Sequence, residues 1–184
     1  MDGRYIIVFN GEIYNYIEIR NELQKEGVQF KTSSDTEVLL RLMIHRGPEG
    51  LSILNGMWSF VLYDEVEQTF FLSRDRIGKK PLYYIHNGER FAFSSEMKNL
   101  VRYLPSVDYD KAFIDFSVNH LFDAEAMEQT IIKGIKKFPP ASFAVFKGNS
   151  LTISRFYFPE QLLLQTNRFR NFNEAVEQFN ELFT

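Results

Sequence analysis

Two short segments carry the side chains best suited to chemistry. Phe9 to Tyr16 reads FNGEIYNY, and Ser34 to Leu40 reads SDTEVLL. In the first, the Asn10 carboxamide and the Gly11 backbone N–H stand side by side after an apolar run. Attack on an amide carbonyl creates an oxyanion, and one preorganised donor aimed at that oxygen lowers the barrier by about 3 kcal/mol. The plainer reading of Asn10-Gly11 is a strand-ending turn in which glycine supplies a positive φ. In the second segment, Asp35 falls at a helix start with Ser34 as its cap. A carboxylate there can hold the ammonium of an amino-acid substrate through a charge-assisted hydrogen bond. The plainer reading is complementarity to the helix dipole, worth about 0.3–1 kcal/mol. The 184 residues include no cysteine, so no thiolate is available. Ser33, Ser34 and Thr36 are the nearest hydroxyls; none is N-terminal, and no histidine stands near them in sequence as a base.

The elements that must position these groups follow from patterning. Tyr5 to Phe9 (YIIVF) has the character of a buried strand. A helix then starts at Asn15, with Glu18 in the capping-box place, and stops at Gly27. Ser34 and Glu37 repeat the box before Val38, Leu39, Leu42 and Met43, and Gly47-Pro48 ends that helix. Three hairpins follow: Trp58 to Tyr63 with Thr69 to Leu72, Leu82 to Ile85 with Arg90 to Phe93 around Asn87-Gly88, and Ala141 to Phe146 with Leu151 to Phe156. Helices are expected near Glu96 to Tyr103 and Asp110 to Leu121, and a loop over Asp123 to Thr130. Character changes after Phe158. Residues 159–172 read as a linker that includes Gln165-Thr166-Asn167. Residues 173–184 then show helical spacing at Ala175, Val176, Phe179, Leu182 and Phe183, as the start of a further domain would. Strand pairs with helices on either side indicate a layered α+β domain over residues 1–158.

Composition sets limits. Hydrophobic residues make up 45% and aromatics 16%, with a net charge of −3; this is globular, with no basic stripe for nucleic acid. No run approaches the ~20 apolar residues of a membrane span, and the N-terminus lacks the layout of a signal peptide. The expected location is the cytoplasm. Without cysteine there are no disulfides and no thiolate metal sites.

Five segments occur in a fixed order: FNGEIYNY, SDTEVLL, LNGMWSFVLYD (Leu54 to Asp64), LSRDRIGKKPLYY (Leu72 to Tyr84) and FAFSSEMKNL (Phe91 to Leu100). KGIKKFPPAS (Lys133 to Ser142) and SRFYF, ending at Phe158, follow. The ordered set closely resembles the N-terminal glutaminase domain of glutamine-hydrolysing asparagine synthetase, a class II glutamine amidotransferase. The resemblance implies an Ntn-hydrolase fold, a four-layer αββα sandwich of antiparallel sheets. It implies that Asn10 and Gly11 form the oxyanion hole and that Glu12 and Asp35 hold the glutamine amino group. Arg74-Asp75-Arg76 and Lys80 to Tyr84 would be structural, with the RDR charges read as a salt-bridged surface.

The resemblance also implies what the rest of such an enzyme does. Ammonia passes to a synthetase domain in cis, where ATP and Mg²⁺ activate aspartate; this chain holds none of that domain's ATP-loop sequence and is expected to carry no cofactor itself. Family members begin with Met-Cys-Gly-Ile and carry His-Arg-Gly-Pro-Asp and Arg-Leu-Ser motifs ahead of NGEIYN. Here that segment starts at Asn10, so the domain is expected to be N-terminally truncated and inactive alone. His45-Arg46-Gly47-Pro48-Glu49 mimics one missing motif but follows the SDTEV helix, and is not its equivalent. Arg4 and Arg41 are the candidates for replacing the missing carboxylate-gripping arginine. The alternative to a fragment is a nucleophile-free binding or scaffold module. In either case the vacated sheet edge is expected to be covered by a second copy of the chain.

Overall fold

Alternation along one central strand sets the architecture. In the segment Gly56–Asp64, Trp58, Phe60 and Leu62 pack in one apolar cluster and Val61 in another, as the period of two requires. In chain order the elements are β1 (Tyr5–Ile13), α1 (Tyr16–Lys25), α2 (Asp35–Arg46), β2 (Gly56–Asp64), β3 (Thr69–Arg74), β4 (Tyr83–His86), β5 (Phe91–Ser94), α3 (Lys111–Asn119), α4 (Leu121–Ala126), β6 (Lys136–Lys137), β7 (Ser142–Lys147), β8 (Ser150–Arg155), α5 (Pro159–Leu164) and α6 (Phe172–Phe183). The computed structural model describes residues 3–88, 90–164 and 171–183. The Gln165-Thr166-Asn167 stretch of the expected linker lies outside the described residues.

The strands form a sheet in the order β1-β2-β3-β7-β8 and a smaller one in the order β5-β4-β6, with every pairing antiparallel. α1 and α2 cover one face of the large sheet through Ile19, Leu23, Val38, Leu39 and Leu42. Val61, Leu72 and Ala144 on its other face meet Leu82, Tyr84 and Phe138 of the small-sheet layer. Ile85, Leu100, Ile132 and Ile135 form a third cluster beyond that, with Met97, Val101 and Leu104 packed against it. The layers are therefore helix, sheet, sheet, and a mixed layer of 3₁₀ turns, loops and the helices α3 and α4, with Ala124 O of α4 accepting from Lys137 of β6. No described helix is long and apolar enough to cross a membrane.

Two buried charges fasten the layers. Arg74 and Asp75 are 6% and 1% exposed, so the expected salt-bridged surface is corrected: backbone groups satisfy these charges. The Arg74 guanidinium donates to the carbonyls of Lys80, Phe138 and Gly78, each at 2.7 Å. Burial pulls its pKa down, opposed by the nearby Asp75 charge. The Asp75 carboxylate accepts from the N–H groups of Trp58, Ile77, Lys79 and Lys80 at 2.9–3.2 Å. Each of these groups would cost about 1–3 kcal/mol if buried unpaired. Arg76 donates to Leu54 O and Ser52 O and lies over Tyr157.

Other expectations also change. Residues 97–103 form two 3₁₀ turns in place of one α-helix. Part of the stretch read as a loop after Leu121 is α4. The α1 stop follows the expected pattern: Gly27 has φ +88°, Gly27 N–H donates to Gln24 O, and Val28 N–H donates to Leu23 O, the Schellman arrangement.

Candidate functional site

Asn10 and Gly11 do not end the strand. They sit inside β1, opposite Ser59 and Trp58 of β2, and pairing runs on to Ile13. Gly11 is needed for close approach, not for a positive φ: a Cβ there would lie 2.2 Å from Met57 O and 2.8 Å from Trp58 Cα. The strand's own alternation then sorts the groups. Tyr5, Ile7, Phe9 and Ile13 pack toward the helices, so Ile6, Val8, Asn10 and Glu12 share the opposite face.

Backbone donors alternate as well. Tyr14 N–H points inward to Asn55 O, whereas Ile13 N–H points outward to Asp35 Oδ2 at 3.2 Å. Gly11 N–H, two residues back, therefore lies on the outward edge of β1 with Ile13 N–H. No described strand pairs with that edge.

Asp35 reaches β1 because of how α2 begins. Ser34 caps the helix by accepting from Thr36 N–H at 3.1 Å. The reciprocal half of the capping box is not made. Glu37 instead accepts from Lys31 N–H, Thr32 N–H and the Thr32 hydroxyl, and pairs with Arg41 at 3.2 Å. Burial pushes its pKa up, but these hydrogen bonds outweigh burial and hold it at about 2, below the ordinary 4.5. The carboxylate thus pins the loop that delivers Ser33, Ser34 and Asp35. Asn15 likewise does not cap α1. Its side chain donates to Ile53 O and accepts from Asn55 N–H, tying the α1 start to the approach to β2.

Glu12 and Asp35 come together in one open depression of about 500 Å³, with Ile13, Tyr14, Tyr16, Ser33 and Ser34. No histidine lines it. Asn10 opens into a separate cavity of about 300 Å³ with Ser59, Ser94, Ser95, Glu96 and Asn99. The Asn10 carboxamide donates to Ser95 Oγ at 3.2 Å. The expected quartet therefore lies along one end of β1, on two adjoining concavities.

The arginine candidates are engaged elsewhere. Arg4 makes a two-pronged pair with Asp64 at 2.8–2.9 Å, which holds the Asp64 carboxyl down at about 2. Arg41 is held by Glu37. His45 and Arg46 bind Glu26 and tie α2 to α1, so the mimic motif serves helix packing.

A family model described as a glutamine amidotransferase domain matches residues 1–157. The chain belongs to the glutamine amidotransferase domain family. Among curated proteins it is 36% identical over 157 residues to asparagine synthetase [glutamine-hydrolyzing] 1 of Bacillus subtilis, covering 85% of this chain and 24% of that one. It is 34% identical over 183 residues to asparagine synthetase [glutamine-hydrolyzing] 3 of the same organism, covering 97% and 28%. The chain thus spans about a quarter of the length of these relatives. Among solved structures, an allosteric regulatory enzyme of purine biosynthesis superposes with a TM-score of 0.59 at 20% identity, over 83% of this chain and 28% of that one. The glutamine phosphoribosylpyrophosphate amidotransferase of B. subtilis gives 0.58 at 20%, over 85% and 30%. The fold is the α+β Ntn-hydrolase sandwich that the motif order implied.

Within this amidotransferase domain the residues least visible in sequence are those acting through backbone. Asp75 was legible as a charge but not as an acceptor for four N–H groups. Ser95 was legible only as part of a motif.

The Glu37 contacts carry a pH dependence. Its folded-state pKa lies below its unfolded value, so the unfolded chain takes up the proton first as pH falls. The contribution is complete above pH 4.5 and is lost as pH falls from 4.5 toward about 2. The melting temperature of Glu37→Gln should therefore fall less over that window than that of the natural chain. Parallel melting curves for the two would refute the assignment.

Proposed function

We propose that this chain is the glutamine-binding part of an asparagine synthetase, contributing the oxyanion donors and the ammonium anchor but no nucleophile. The observation that carries this reading is the placement of four groups at one end of β1: the Asn10 carboxamide, the outward Gly11 N–H, Glu12, and an Asp35 carboxylate bonded to Ile13 N–H. Glutamine fits such a set. Its α-ammonium would lie between Glu12 and Asp35, with its side-chain amide running up the strand toward Asn10 and Gly11. Charge building on the carbonyl oxygen would then meet two donors already in place.

In the complete enzyme the released ammonia would serve ATP-dependent amidation of aspartate by a synthetase domain in cis. On this reading residues 1–158 are the amidotransferase domain, 159–172 a linker and 173–184 the start of the next domain. ATP and Mg²⁺ belong with that next domain. Among the described residues no group of three or more His, Asp or Glu side chains is placed to hold a metal ion. The cytoplasm is the compartment that suits these substrates.

Binding is testable without turnover. Titrating glutamine at millimolar concentrations into the ¹⁵N-labelled chain should move the backbone resonances of Glu12, Ile13 and Asp35. Asp35→Asn should abolish the shifts, because the ammonium loses its charged partner. Shifts that are absent in the natural chain, or that persist in Asp35→Asn, contradict the pocket.

A second copy of the chain is the proposed occupant of the open side of β1 over Tyr5 to Val8, leaving the Gly11 to Ile13 end to the ligand. Ile6 and Val8 on the face of β1 away from the helices are 53% and 57% exposed, and the adjacent edge has no described partner strand. An unpaired edge beside an apolar stripe favours strand-to-strand association. Sedimentation at tens of micromolar should give a dimer that Val8→Lys converts to monomer. A monomeric natural chain would rule the association out.

A further inference from the structure

The Asn10 carboxamide does not hold itself. The terminal torsion of asparagine is broad and two-fold, so an unrestrained amide would present its N–H groups in many directions. In this structure the amide is tied across the two sheets to a hydroxyl 85 residues away, with Nδ2 donating to Ser95 Oγ at 3.2 Å. A primary amide has two N–H groups. Committing one to Ser95 fixes the amide plane and leaves the second directed by that plane.

Ser95 is itself held firmly. It follows β5, where Ser94 Oγ accepts from Glu96 N–H at 3.1 Å and from Asn99 Nδ2 at 3.2 Å. Leu100, at the end of this short turn, is 1% exposed and anchors it in the outer cluster. The other two serine hydroxyls lining that cavity are engaged elsewhere: Ser59 Oγ donates to Pro81 O at 3.0 Å, and Ser94 Oγ accepts from Glu96 N–H and Asn99 Nδ2. Ser95 is thus the hydroxyl on the far wall of the cavity that meets the Asn10 amide.

We propose that Ser95 is a positioning residue: it orients the Asn10 carboxamide so that its second N–H is set toward the carbonyl oxygen of a bound primary amide. This rests on the reading of Asn10 as an oxyanion donor. The hydroxyl acts only through Asn10 and touches no reacting atom. It also couples the two sheets at the site, because the donor stands on β1 while its orientation is set by the turn after β5. A shift of one sheet relative to the other would turn the amide.

The test reads the side chain directly in the full 184-residue chain. The two side-chain amide protons of Asn10, identified by their loss in Asn10→Asp, should be separated in ¹⁵N-edited spectra and exchange slowly with water. Ser95→Ala should collapse the pair toward the position of exposed asparagines and speed exchange several-fold, while the backbone resonances of β4 and β5 stay in place. Ser95→Thr should restore the natural pattern, since it keeps the acceptor. An Asn10 pair that is unchanged in Ser95→Ala overturns the proposal. So does a change accompanied by displaced β4 and β5 resonances that threonine does not rescue, which would mark a structural role. This arm needs no ligand, so a failed glutamine titration is a separate result. In a second arm, saturating glutamine should move the remaining Asn10 proton in the natural chain and less in Ser95→Ala. If the first arm succeeds and glutamine moves the proton in neither protein, the oxyanion reading fails and Ser95 is left as an organiser of an empty cavity.

Discussion

The site depends on one buried carboxylate. Asp75 accepts the N–H of Trp58, and Trp58 O in turn accepts the N–H of Asp75 at 2.9 Å. Trp58 is the residue opposite Gly11 on β1, so the carboxylate that organises the loop after β3 also fixes the strand against which Asn10 and Gly11 lie. The same carboxylate ties down the loop from Ile77 to Lys80, whose far end leads into the small sheet. Arg74, alongside, reaches Phe138 O ahead of β7. Two charges in a nearly dry interior are costly unless their polar atoms are filled. Here they are filled by main-chain groups from three separate segments: Trp58, the Ile77–Lys80 loop and Phe138. Those segments cannot move independently without stranding a charge.

Sequence made the architecture legible because its signals were local. The α2 apolar face, the β2–β3 hairpin and the turn at Asn87-Gly88 each arise from a short pattern that tertiary contacts reinforce. The same dipeptide shows where legibility stops. Asn87-Gly88 does turn the chain, with Gly88 at φ +86° between β4 and β5. Asn10-Gly11 continues a nine-residue strand, because its glycine answers the approach of Met57 O, a contact 46 positions along the chain. Nothing in the dipeptide itself separates the two cases.

Capping signals failed in a related way. Glu37 and Asn15 stand in the right places for local caps, yet each finds better partners outside its own helix: Glu37 in the Lys31–Thr32 loop, and Asn15 in the approach to β2. Both diversions serve the site, since one sets the loop carrying Asp35 and the other sets the end of β1. The buried roles of Arg74 and Asp75 were hidden for a third reason. Their partners are carbonyls and N–H groups, which have no sequence signature. The motif order anticipated the fold and proposed the candidate residues; the geometry added which faces and edges of β1 they occupy.

On the proposed reading the chain keeps the groups that receive glutamine and stabilise an oxyanion, while its 184 residues include no thiol to attack the amide. Ammonia release from glutamine by the purified chain tests this most directly. The expected rate is indistinguishable from that of glutamine in buffer alone. Turnover above that background, abolished by replacing Ser33, Ser34 or Thr36, would contradict it and place a hydroxyl nucleophile beside Asp35.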